Sequence, residues 1–142
     1  MKNWIILLLF SSTFLHCAKT IESSKTCTCP ENQPCTMIYS MINVQIVNVS
    51  NQPIILTEYR TIKIATNEIL HEQKGIDSTN LFEAGKYLIV DDGDLSKIAI
   101  CGEEVQFIGF KNAKQIVNEK FTVKNNCCHV EVLKGNTKII LP

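Results

Sequence analysis

No apolar run in this 142-residue chain approaches the roughly 20 residues that a membrane-spanning helix needs. The longest lies at its start, from Trp4 to Phe10. An excess of one charge is also missing. The chain carries 14 Lys and Arg against 14 Asp and Glu, and from Cys17 onward the loss of Lys2 leaves 13 against 14. With no basic run and no ladder of aromatics, neither a nucleic acid nor an anionic surface is an expected partner. The six glycines are scattered without a phosphate-cradling pattern, and no serine sits in G-x-S-x-G. No C-x-x-C occurs, no window of 11 or more residues repeats its apolar positions every 3.6 residues, and there is no internal repeat or domain linker.

What is present begins with a leader. "MKNWIILLLFSSTFLHC" places one positive charge before a short apolar core and then small polar residues, the pattern of a signal peptide over residues 1–16. "TFLHC" resembles the lipobox of bacterial lipoproteins, whose cysteine becomes the lipidated first residue; Phe14 and His16 stand where leucine and a small residue are usual. The resemblance implies that Cys17 carries lipid and anchors the protein to the outer membrane, at its periplasmic or surface face. The alternative is a secreted chain cleaved near Ala18. Each buried acyl methylene contributes about 0.8 kcal/mol, so several chains on Cys17 would hold the protein stably at a bilayer.

Residues 17–36 read as a lipidated tether and a cysteine-rich segment. "AKTIESSKT", Ala18 to Thr26, is polar and reaches at most about 30 Å when extended. "CTCPENQPC" follows, three cysteines and two prolines in nine residues, which needs crosslinks or a metal to be ordered. Residues 37–142 read as β. "INVQIVNVS" alternates and then changes phase, as at a bulge or in a strand buried on both faces. In "IILTEYRTIKIAT", Ile62 and Ile64 mark a half-buried face, and "NEILHEQKGID" reads as an edge strand and loop. "LFEAGKYLIVDDGD" is a strand ending in an Asp- and Gly-rich turn, while "SKIAICGE" is ambiguous between strand and helical turn. "EVQFIGFKNAKQIVNEKFTV" reads as a hairpin turning at "KNAK", and "CCHVEVLKGNTKIIL" as a last hairpin turning at "KGN". Seven or eight short strands at this spacing predict an all-β, antiparallel immunoglobulin-like or transthyretin-like β-sandwich, stapled by disulfides.

With Cys17 assigned to lipid, Cys27, Cys29, Cys35, Cys101, Cys127 and Cys128 remain, an even set that in an exported chain points to disulfides. If "CCHVEV" is extended, Cys128, Val130 and Val132 face the core while Cys127, His129 and Glu131 face outward. That alternation predicts Cys101 bonded to Cys128 across the sandwich, and Cys127 to one of Cys27, Cys29 and Cys35. A metal site of Cys27, Cys29, Cys35 and His129, or redox chemistry at Cys127 and Cys128, is the competing reading, although the spacings lack the C-x₂₋₄-C of zinc sites. No metal or other cofactor is expected on the first reading.

His129 and Glu131, on one strand face, could transfer a proton or bind a cation, but such pairs are commonly a solvated surface. Asp91, Asp92 and Asp94 in "DDGD" could hold calcium but lack EF-hand spacing and suit a turn. "EAGKYLIVDD" and "EKFTVKNNCCHVEVLKG" resemble a group of small bacterial envelope lipoproteins that end on a Cys-Cys-His-Val strand; no activity follows from that resemblance. "AGKYLIV" also resembles the G-x-Y strand of carboxypeptidase regulatory-like sandwich domains. The function expected is that of a lipid-anchored envelope protein, a non-enzymatic binding or structural module with an envelope protein or glycan as partner. The alternative is an envelope metal-binding or thiol-redox protein using the cysteine-rich segment with Cys127, Cys128 and His129.

Overall fold

A computed structural model describes residues 27–75 and 84–142. The leader, Cys17 and the tether to Thr26 lie outside the described residues. Among the described residues eight strands follow in order: β1 (Met41–Asn48), β2 (Glu58–Lys63), β3 (Ile69–Lys74), β4 (Lys86–Asp91), β5 (Glu103–Lys111), β6 (Lys114–Asn125), β7 (Val130–Lys134) and β8 (Lys138–Leu141). They form two sheets, β4-β1-β8 and β3-β2-β5-β6-β7, which enclose one core. The expected all-β sandwich is therefore what the chain forms. One pairing departs from the antiparallel expectation: β8 runs parallel to β1, and the other five pairs are antiparallel.

Strand β1 is the middle of the smaller sheet, and its phase change has a structural reason. A register irregularity with β4 falls between Ile42 and Asn43. Val44 and Ile46 are buried on the core face, and Val47 is buried as well, beside a bridge to Pro53. The segment after β1 thus folds back along the strand's edge, with Asn48 N–H donating to the Gln52 carbonyl (2.9 Å) and Ile54 N–H to the Ile46 carbonyl (3.0 Å). Tyr87 of β4 fixes that segment from within: its hydroxyl accepts from Leu56 N–H (2.7 Å) and donates to the Ile54 carbonyl (2.9 Å). Its ring meets Tyr59 edge-on and lies beside Phe107, so one aromatic cluster spans both sheets. Burial raises the Tyr87 and Tyr59 phenols above their ordinary values.

Ile62 and Ile64 are half-buried as expected, while Tyr59 and Thr61 form the core face of β2, whose pairing with β3 shifts between Thr61 and Ile62. One expectation fails on sheet topology. "CCHVEVLKGNTKIIL" is not a hairpin. Strand β7 pairs with β6 in the larger sheet and β8 with β1 in the smaller, so "KGN" carries the chain between sheets. Gly135 makes that crossing at φ +126°, where an added Cβ would lie 2.3 Å from Phe121 Cδ1. The hairpin at "KNAK" forms as expected, with Asn112 and Ala113 both at positive φ, as a two-residue turn between right-twisted strands requires. "SKIAICGE" is a turn that buries Ile98.

Candidate functional site

Residues 27–40 form no strand; they cross one end of the sandwich as a strap. Three disulfides fasten it: Cys27–Cys101, Cys29–Cys127 and Cys35–Cys128. Cys127 thus finds one of the three N-terminal cysteines, but the expected Cys101–Cys128 bond is replaced. The reason is local. "NNCCH" is not extended, because Asn125 Oδ1 accepts from Cys127 N–H (2.7 Å) and Asn126 Oδ1 accepts from the N–H groups of Cys128 (3.1 Å) and His129 (2.8 Å). Cys127 sits at φ +80°, and strand alternation begins only at Val130. Neither Cys101 nor Cys128 is in the core. The disulfides also leave no thiolate at Cys27, Cys29 or Cys35 for the alternative metal set with His129, and Cys127 and Cys128 are not bonded to each other.

The "DDGD" turn lies against this strap and sends its three carboxylates to different partners. Asp91 caps a single 3-10 turn, Asp92–Asp94, by accepting from Gly93 N–H (2.8 Å). The Tyr39 hydroxyl of the strap accepts from the same N–H (3.1 Å), and its hydrogen bond to Asp91 raises the phenol. Asp94 is buried and hydrogen-bonded to His71 Nε2 of β3 (2.5 Å), with Lys97 Nζ 3.2 Å from its other oxygen. Ligand atoms of His71, Asp91 and Asp94 lie within 4.8 Å of one another. Calcium at Asp91, Asp92 and Asp94 does not fit, since Asp92 turns to the strap side and Asp94 is already matched by Lys97 and His71.

Asp92 accepts three hydrogen bonds, two of them from backbone amides. Its Oδ2 accepts from Ser40 N–H (2.8 Å) and from His129 Nδ1 (2.7 Å), and its Oδ1 accepts from Val130 N–H (2.9 Å). Burial pushes the carboxyl upward, but the hydrogen bonds from His129 and the two backbone amides outweigh it and hold the group below the usual aspartate value. His129 Nε2 faces Thr36 Oγ1 at 2.9 Å. His129 therefore does not act with Glu131, which pairs with Lys124 instead (3.3 Å).

Of the residues singled out in the sequence, the structure brings the six cysteines and His129 to one end of the molecule. It adds two that were not singled out in that role, Thr36 and Asp92, which lie 93 and 37 positions from His129 in the chain. No local motif carries that juxtaposition. An open groove of about 430 Å³ lies elsewhere, between Ile54, the β5–β6 hairpin and Leu141, and holds two lysines but no acid or nucleophile. Among the described residues no helix is long and apolar enough to cross a membrane. Three disulfides are the usage of an extracellular or envelope protein. Comparison of the chain with known protein families, curated proteins and solved structures finds no match to any of them.

Proposed function

We propose that the protein is a lipid-anchored module of the bacterial envelope that binds a partner protein or glycan through its strap. The observation that carries this reading is the run from Met37 to Met41. Met37, Ile38, Tyr39 and Met41 keep 103%, 73%, 58% and 58% of their surface in solvent. They sit on backbone pinned by the Cys35–Cys128 bond on one side and by Ser40 N–H to Asp92 on the other. Ordered backbone with exposed apolar side chains is pre-organised for contact, because the entropy of ordering it is not charged to the binding step. The leader and its lipobox-like cysteine support the anchor at Cys17.

Two measurements test the reading. Cys17→Ser should move the protein from the membrane fraction to the soluble fraction; unchanged fractionation would remove the lipid anchor from the proposal. A photo-crosslinking residue at position 38 should capture a defined envelope component, and capture should fall at least about tenfold when Met37 is changed to Ser. The same yield from a crosslinker at the exposed Val49 would show that the strap has no special role.

A further inference from the structure

Thr36, His129 and Asp92 come from the strap, the loop before β7 and the turn after β4, and they are hydrogen-bonded in series. An ionised carboxylate can only accept, so Asp92 Oδ2 fixes a proton on His129 Nδ1. In the neutral ring the lone pair is then on Nε2, which faces Thr36 Oγ1 at 2.9 Å, and the hydroxyl must be the donor. The order is hydroxyl, imidazole, carboxylate. The hydroxyl end is exposed, the imidazole is 22% exposed, and the carboxylate end is 10% exposed and tied to two backbone amides. A nucleophile within reach of a base that is itself oriented by a third group is the arrangement that activates an alcohol.

A mere fastening of the strap does not require this polarity. The three disulfides already hold residues 27–35 in place, and Gln33 adds a side-chain bond to the Asn126 carbonyl (3.3 Å). Met37 and Ile38, the two residues that follow Thr36 in the chain, are apolar and exposed.

The geometry points to an acyl-transfer site in which Thr36 is the nucleophile, His129 the general base and Asp92 a positioning residue, acting on carboxylic esters with an apolar acyl group. Thr36 Oγ attacks the carbonyl carbon while its proton passes to His129 Nε2. The bond to the leaving alkoxide breaks, and the alkoxide takes the proton from His129, leaving an acyl-threonine ester. Water, deprotonated by His129, attacks that ester; the carboxylic acid leaves and Thr36 regains its proton. The sum is one ester and one water giving one acid and one alcohol. This step does not rest on the anchoring or binding reading above and can fail while that reading stands.

The purified, disulfide-intact protein should be treated with an alkyl fluorophosphonate, with the adduct mapped by peptide mass spectrometry, and assayed separately with p-nitrophenyl butyrate. The expected result is one adduct at Thr36 and an ester hydrolysis rate that falls at least about 100-fold in Thr36→Val and His129→Gln but persists in Thr36→Ser. Asp92→Asn should lower the rate and change its dependence on pH, because the amide no longer fixes the proton on Nδ1. No adduct, or an adduct at another residue, overturns the proposal without relying on any variant. Hydrolysis equal in native protein and Thr36→Val overturns it as well, since it would then come from an imidazole acting alone.

Discussion

Asp92 holds donors from three directions at once, and its protonation state decides whether they stay satisfied. Its carboxyl titrates below the usual aspartate value in the folded protein, whereas in the unfolded chain it returns to about 3.9. A group with a depressed folded value binds its proton more tightly when unfolded, so it contributes stability above the unfolded value and loses that contribution as pH falls through the folded one. Stability should therefore decline from about pH 5 downward. In Asp92→Asn the protein should be less stable at pH 7, because the amide cannot accept from three donors as a carboxylate does, and the decline below pH 5 should be shallower. Urea unfolding midpoints at pH 7, 5 and 3.5 check this. Parallel declines for the two proteins would show that Asp92 has no part in the acid response. His129 belongs to the same scale: its neighbours in the chain made it look like the partner of Glu131, whereas two asparagine side chains bend the backbone and turn it toward Asp92.

At the scale of elements, the strands were legible because the alternating residues Ile42, Val44 and Ile46, Tyr87 and Ile89, and Val105 and Phe107 report a buried face, and burial is what the sandwich enforces. Partners across sheets were not legible. Nothing in "VEVLKGNTKII" distinguishes a hairpin from a crossing, since either can use a glycine at positive φ. The structure separates them through Gly135, whose missing Cβ is the space that Phe121 fills. Gly135→Ala should therefore cost about 3 kcal/mol or more, from an intolerable contact with a core ring added to backbone strain. Gly75→Ala is the control: at φ +61° with nothing within 4 Å of an added Cβ, it should cost only about 1 kcal/mol. Chemical denaturation of both variants checks the contrast, and similar costs would mean that the Phe121 ring gives way at position 135. Thr36 beside His129 was illegible for a related reason: the strap has no periodicity to read, and its position is set by crosslinks whose connectivity a sequence leaves open.

On the scale of the whole molecule, the crosslinks and the core do separate work. The core cluster runs from Ile42 to Ile139 and includes no strap residue, and every one of the three disulfides joins the strap to the sandwich. Their spans of 74, 98 and 93 residues would each, acting alone, restrict the unfolded chain by about 4 to 5 kcal/mol. They do not act alone. With Cys29–Cys127 in place, Cys35–Cys128 closes only the short ring through residues 29–35 and 127–128, which is worth about 2.5 kcal/mol, and Cys27–Cys101 closes a ring of roughly 30 residues, worth about 3.5 kcal/mol. Of two paired variants, Cys27→Ala with Cys101→Ala should therefore be more destabilised than Cys35→Ala with Cys128→Ala, by about 1 kcal/mol, and both should keep the circular dichroism of the sandwich. Urea unfolding of each variant with its other two disulfides intact measures the difference. Losses of 4 to 5 kcal/mol in both would mean that the crosslinks constrain the chain independently, and loss of the β spectrum in either would mean that the strap, rather than the core, holds the two sheets together.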